Sequence, residues 1–158
     1  MKNSVKRAEM DLIFPVIEEI IKNGQTAKIK VSGTSMYPLV QHRRDSVVLK
    51  RAGELKMGDV PLFKRADGHY VLHRIVKIKD GKFGTMGDFE TEVEYPVMKD
   101  AVVAVAEGFY RKGRYISCES LWYKIYWRVW NVLRPVRPLM IKIIRLIGKT
   151  RKKLKGEK

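Results

Sequence analysis

Residues 60–79 read VPLFKRADGHYVLHRIVKIK. Two runs rich in Val, Leu, Ile, Phe and Tyr, Val60–Phe63 and His69–Lys79, flank Asp67-Gly68. β-Branched and aromatic side chains suit a pleated surface, and Asp-Gly between two such runs signals a hairpin. Segments of the same kind lie on both sides: Ala27–Val31 and Ser46–Lys50 before, Ala101–Phe109 after. Gly53, Gly58-Asp59, Asp80-Gly81 and Gly87-Asp88 punctuate them, and Asp80-Gly81 is a second hairpin candidate. The unbroken runs VVLK and AVVAVA suit strands buried on both faces. The pattern predicts a mainly β chain, with a coiled antiparallel β domain over residues 26–117.

The two ends differ from this middle. Residues 1–25 read as a short amphipathic helix. Its apolar stretch from Leu12 to Ile21 is interrupted by Pro15, Glu18 and Glu19, which excludes a signal peptide or a spanning helix. Gly24 ends it as a C-cap glycine. Residues 118–158 read as a basic amphipathic helical tail. The chain of 158 residues carries a net charge of +16, and from Glu119 to Lys158 it has 12 Lys and Arg against 2 acids. Lys124, Arg128 and Asn131 recur at helical spacing on a narrow polar stripe, and Lys142, Arg145 and Lys149 repeat it further on. Pro135 and Pro138 predict two short helices joined by a kink. Neither apolar run approaches the roughly 18–20 residues needed to span a bilayer.

Wide apolar faces, Trp122, Trp127 and Trp130, and the basic edge of Lys142, Arg145 and Lys149 describe helices lying in a membrane interface. The competing reading packs these helices on the domain or on another subunit, with their charges facing water. Nucleic acid is disfavoured because its binders carry fewer large aliphatic side chains. The expected partner is an anionic membrane surface. The expected location is cytoplasmic, attached peripherally to the inner leaflet.

Composition also limits the chemistry. A hydrophobic content of 45% excludes wholesale disorder. The single cysteine, Cys118, excludes an internal disulfide and a cysteine-based zinc site, and reads as a packing residue. No His and carboxylate set has metal-ligand spacing and no glycine loop suits a phosphate, so no metal or cofactor is expected. Of three histidines, His42 lies in a basic loop beside Arg43 and Arg44 and reads as solvated, and His69 borders a turn. His73 sits inside the apolar run YVLHRIV, as either a satisfied core residue or a catalytic base. Spacing alone leaves both open.

Order along the chain adds to this. The boxes SGTSMYP at 32–38, MGDVPLF at 57–63, YVLHRIV at 70–76 and MGD at 86–88 together resemble the signal peptidase I family. Its superfamily includes the self-cleaving LexA-type repressors. The resemblance covers about residues 28–109, and the Ser-Met-x-Pro box is its most specific element. Bacterial members typically use a lysine base. The endoplasmic-reticulum and sporulation types use a histidine in His-Arg followed by two Ile or Val residues. His73-Arg74-Ile75-Val76 resembles that histidine branch.

The resemblance implies a signal peptidase/LexA-type β domain in which Ser35 is the nucleophile and His73 its general base. A serine hydroxyl needs a base to remove its proton as it attacks. Histidine, with an ordinary pKa of about 6.5, serves at neutral pH. Pro38 and Met36 would fix the turn after Ser35. The Ser35 amide would donate to the oxyanion. Relatives place a serine donor two residues before the nucleophile, where this chain has Gly33, so Ser32, Thr34 or backbone must supply the second donor. Histidine-type relatives read Gly-Asp-Asn-Asn, with an orienting aspartate six residues after the first. Here Gly87-Asp88-Phe89-Glu90 occupies that place and Glu94 stands at the six-residue offset. Glu94 is the expected orienter of His73, and Asp88 the alternative.

Signal peptidases ordinarily carry a membrane anchor before the serine. This chain is more similar to short relatives without one, which share segments like DSVVL and GFYRKGRYIS. The expected activity is a serine endopeptidase cutting an extended peptide, such as a signal or leader peptide, through an acyl-enzyme. Two rival expectations remain: a noncatalytic membrane-surface scaffold on the same fold, and a LexA-like self-cleaving regulator. The regulator should bring a helix-turn-helix domain and a base lysine.

Overall fold

The computed structural model describes residues 13–156, with side chains through residue 144 and at 146 and 147. Leu12, and the side chains of Arg145 and Lys149, lie outside the described set. The described chain is mainly antiparallel β, and its larger sheet curls into a half-barrel. In chain order the strands are β1 (Ala27–Lys30), β2 (Ser46–Lys50), β3 (Pro61–Lys64), β4 (Tyr70–Leu72) and β5 (Arg74–Lys79). Then come β6 (Lys82–Met86), β7 (Glu94–Val97), β8 (Val102–Arg111) and β9 (Arg114–Ser117). The larger sheet runs β1-β2-β8-β3-β4, with β9 paired to β8, and the smaller runs β5-β6-β7. β8 forms the spine, and its register shifts against β2 at Val48/Leu49 and against β3 at Leu62/Phe63. Such irregularities bend and twist a sheet.

Local chemistry explains the connections. Asp80 and Gly81 have φ of 51° and 69° between the paired ends Lys79 and Lys82. Two positive φ values in a two-residue loop match the right-handed strand twist. Lys112-Gly113 repeats the device between β8 and β9, with φ of 49° and 81°. The first helix, α1, covers residues 13–22 of the described chain. At its end Gly24 N–H donates to Ile21 O and Gln25 N–H to Ile20 O, the paired bonds of a Schellman cap. Phe14, Ile17 and Ile21 bury its inner side in the main core, against Leu39, Val47 and Leu62.

His69–Lys79 is not one strand, as expected, but two. β4 pairs with β3 through Leu62 and Leu72, whereas β5 pairs with β6. A single straight strand cannot serve both partners, and the chain changes sheets at His73. Three strands lie outside the segments named from the sequence: β6, which only its Asp80-Gly81 turn announced, β7 and β9. β7 contains Pro96, tolerated because β7 is an edge strand. β9 is short and continues the β8 hairpin.

The tail forms α2 (Leu121–Val132) and α3 (Arg137–Gly156), separated by one 3-10 turn. Ser120 caps α2 by accepting from Tyr123 N–H. Pro138 falls in the first turn of α3, where a missing N–H costs little. No helix among the described residues is long and apolar enough to cross a membrane.

Half of the tail is part of the domain. Tyr123 and Trp130 of α2 are buried, and the Trp127 ring lies so close to Gly58 that a Cβ there would come within 2.4 Å. Trp127 and Trp130 therefore face the β domain, although the sequence suggested a lipid-facing role. α2 carries large apolar groups nearly all round, so periodicity could not say which side turns inward. Packing chose the side where Gly58 leaves room for an indole.

Candidate active site

Ser35 lies in the turn after β1. Met36, Leu39 and Val40 are buried and anchor that turn, and the Tyr37–Pro38 peptide bond is cis. Gly33 N–H donates to His42 Nδ1 at 2.9 Å, so His42, expected to be merely solvated, pins the turn from outside. From the other side, Phe89 N–H donates to Ser35 O at 2.7 Å. Gly87 backs onto the same residue. A Cβ on it would lie 2.7 Å from Ser35 O and 3.0 Å from Ser35 Cβ, so no side chain fits. The loop after β6 is thus stitched directly to the turn carrying the serine.

His73, at the switch between sheets, is 4% exposed. Its Nε2 lies 3.4 Å from Glu90 Oε2, and its Nδ1 lies 4.0 Å from Glu94 Oε2. Among the described residues Nδ1 has no hydrogen-bond partner. Burial lowers the imidazole pKa, and the nearby charges of Glu90 and Glu94 oppose that shift without reversing it. Burial thus favours the uncharged ring, the state a general base requires. Glu94 is held by Arg65 through two bonds of 2.7 and 2.6 Å.

Asp88, the alternative orienter, is engaged elsewhere. Its two oxygens accept from Arg74 Nε and Nη2 at 2.9 and 2.8 Å, and Tyr126 O–H adds a bond of 3.0 Å. Arg74 also donates to Gly58 O and the Tyr123 hydroxyl. Burial disfavours the guanidinium charge, but Asp88, Tyr123 and Tyr126 together outweigh it and hold the arginine protonated. Trp130 Nε1–H donates to Asp88 O, while Arg137 donates to the carbonyls of Gly87 and Glu90. The tail therefore clamps the loop that touches Ser35.

Ser35, His73, Ser32 and Glu90 line one cleft of about 270 Å³. Phe14 of α1 stacks on Tyr70 at 4.1 Å to form an apolar wall of it. Among the described residues Ser35 N–H makes no backbone hydrogen bond, and Ser35 and His73 share the cleft without a hydrogen bond to each other. Gly33 N–H is taken by His42. Of the other suggested oxyanion donors, Ser32 lines the cleft and Thr34 does not. Cys118 lies away from this cleft, and burial pushes its thiol up to about 11.

Glu90 is the residue that sequence reasoning missed. The run FETEVE places acids at 90, 92 and 94, and nothing in that alternation tells which one faces the imidazole. Trp122 and Lys142 are exposed on the tail, as a surface role requires. A scan against protein-family models and a search of curated proteins each found no match to this chain.

Proposed function

We propose that the chain is a serine endopeptidase resembling signal peptidase I, with Ser35 as nucleophile and His73 as general base. The observation that carries this reading is the convergence of Ser35 and His73, 38 residues apart in sequence, on one cleft where burial favours the uncharged imidazole. An extended peptide would lie along the cleft as an added strand. As Ser35 Oγ attacks the scissile carbonyl, its proton passes to His73 Nε2, and the oxyanion gathers toward the Ser35 N–H. The imidazolium returns the proton to the leaving amine, and water then hydrolyses the acyl-enzyme. Glu94 faces the Nδ1 side and stabilises the imidazolium as it forms. Glu90 now stands at Nε2, so its half-exposed side chain must turn aside when the serine hydroxyl engages.

The rival reading, a noncatalytic scaffold on the same fold, draws on that position of Glu90. Incubating wild type, Ser35→Ala and His73→Ala with a peptide library, read by mass spectrometry, separates the two. Cleavage should fall about a thousandfold or more in either variant, and no further in the double variant, because the pair works as a unit. Identical product patterns in all proteins would leave only the scaffold.

A further inference from the structure

α2 and α3 turn two different faces to their surroundings. The inner face, with Tyr123, Tyr126, Trp130 and Arg137, bonds to the β domain and to the 87–90 loop. The outer face carries Leu121, Ile125, Val129 and Val132 at successive spacings of four, four and three, and Leu139 and Ile143 are likewise exposed on α3. These side chains are between 49% and 76% exposed. A strip of large aliphatic groups this long is far more than the scattered apolar residues normal on a monomer surface. Exposed Arg128 and Lys142 flank it, in a segment with 12 basic residues against 2 acids.

We propose that this strip docks on an anionic lipid bilayer, lying in the headgroup region with its aliphatic side chains toward the acyl chains. The proposal goes beyond peptide cleavage and does not depend on it. The charge selects the occupant. A second copy would bring the same basic segment and repel the first, and nucleic acid offers no apolar layer for six aliphatic groups. An anionic bilayer presents negative charge and an apolar layer together. Pro138, Ile141 and Lys142, from the same stretch of α3, line a cavity of about 560 Å³ that shares Arg65 and Glu90 with the Ser35 cleft. The helix that presents part of the strip therefore also lines a cavity beside that cleft.

The test uses the full chain sedimented with phosphatidylcholine vesicles, with and without phosphatidylglycerol. Wild type should bind the anionic vesicles and release them as salt rises. The strip variant Ile125→Glu/Val129→Glu should lose at least about tenfold in affinity. Arg128→Gln and Lys142→Gln should each lose about fivefold. Ile78→Glu, an exposed apolar position on β5, should bind as wild type does, and so should Ser35→Ala, whatever its peptidase activity. Thermal unfolding of the strip, basic-edge and Ile78 variants should match wild type, because those side chains are exposed. Four results would overturn the proposal: no vesicle binding, strip variants that bind like wild type, self-association abolished by the strip variants without lipid binding, or RNA binding in place of lipid binding.

Discussion

His73 and Arg74 are consecutive, and both are buried where the two sheets meet. Around Arg74 each guanidinium nitrogen has an acceptor, and both oxygens of Asp88 have donors. Around His73 one ring nitrogen has no hydrogen bond and the other faces a glutamate whose side chain is 40% exposed. A closed network of buried charge rigidifies a junction. A buried imidazole with one unbonded nitrogen on a cleft is the kind of group that the proposed reaction would use. The family resemblance placed a candidate orienter on each side of this divide, Asp88 and Glu94, and the contacts assign Asp88 to the closed side.

Breaking the closed side should have the largest effect. Asp88→Asn leaves the Arg74 charge buried with a weakened partner, and should cost about 3 kcal/mol or more of stability in urea unfolding. Replacing both members, as Arg74→Met/Asp88→Leu, should cost much less than the sum of the single changes, because no orphaned charge remains. If Asp88→Asn left stability within about 1 kcal/mol of wild type while abolishing cleavage, Asp88 would belong to the catalytic side and the contrast would collapse.

The open side should answer to pH more than to denaturant. The Glu90 charge raises the His73 pKa against the burial that lowers it, so Glu90→Gln should lower it further. The proposed mechanism needs His73 neutral, so the acid limb of the kcat/KM profile should move to lower pH in the variant. A limb that moved upward, or stayed while Glu94→Gln shifted it, would remove Glu90 from the imidazole's surroundings. The same shift has a stability consequence. A histidine whose folded pKa lies below its ordinary value of about 6.5 stabilises the fold above that pH. This contribution is lost as pH falls from about 6.5 toward the folded value.

The sequence revealed elements governed by local rules. Gly24 and Asp80-Gly81 were readable because a cap or a two-residue turn depends on its own residues. The edges of Ser46–Lys50 were readable because VVLK is apolar and turn residues bound it. The break at His73 was not, because it arises from a change of sheet partner. The inward turn of Trp127 and Trp130 was not, because an all-round apolar helix has no favoured side until a surface such as Gly58 accepts it. Ser35 and His73 were found by resemblance to ordered boxes. Glu90 lay hidden because the loop that brings it to Nε2 is set by Gly87 packing on Ser35, a contact between residues 52 apart in the chain.

The smallest change tests whether missing hydrogen bonds alone mark a site. Thr85 on β6 is fully buried, and like His73 Nδ1 its hydroxyl has no partner among the described residues. Unlike His73 it lines neither of the two cavities beside Glu90. Its hydroxyl therefore only carries a desolvation cost, and valine matches its shape and suits a strand. Thr85→Val should raise stability by about 1 kcal/mol, seen as a higher urea midpoint with an unchanged slope, and leave cleavage as it was. A loss of stability would mean that a bound water or a shifted rotamer satisfies the hydroxyl. An unpaired buried atom would then be a poor guide to function at His73 as well, and the imidazole's case would rest on its place in the cleft with Ser35.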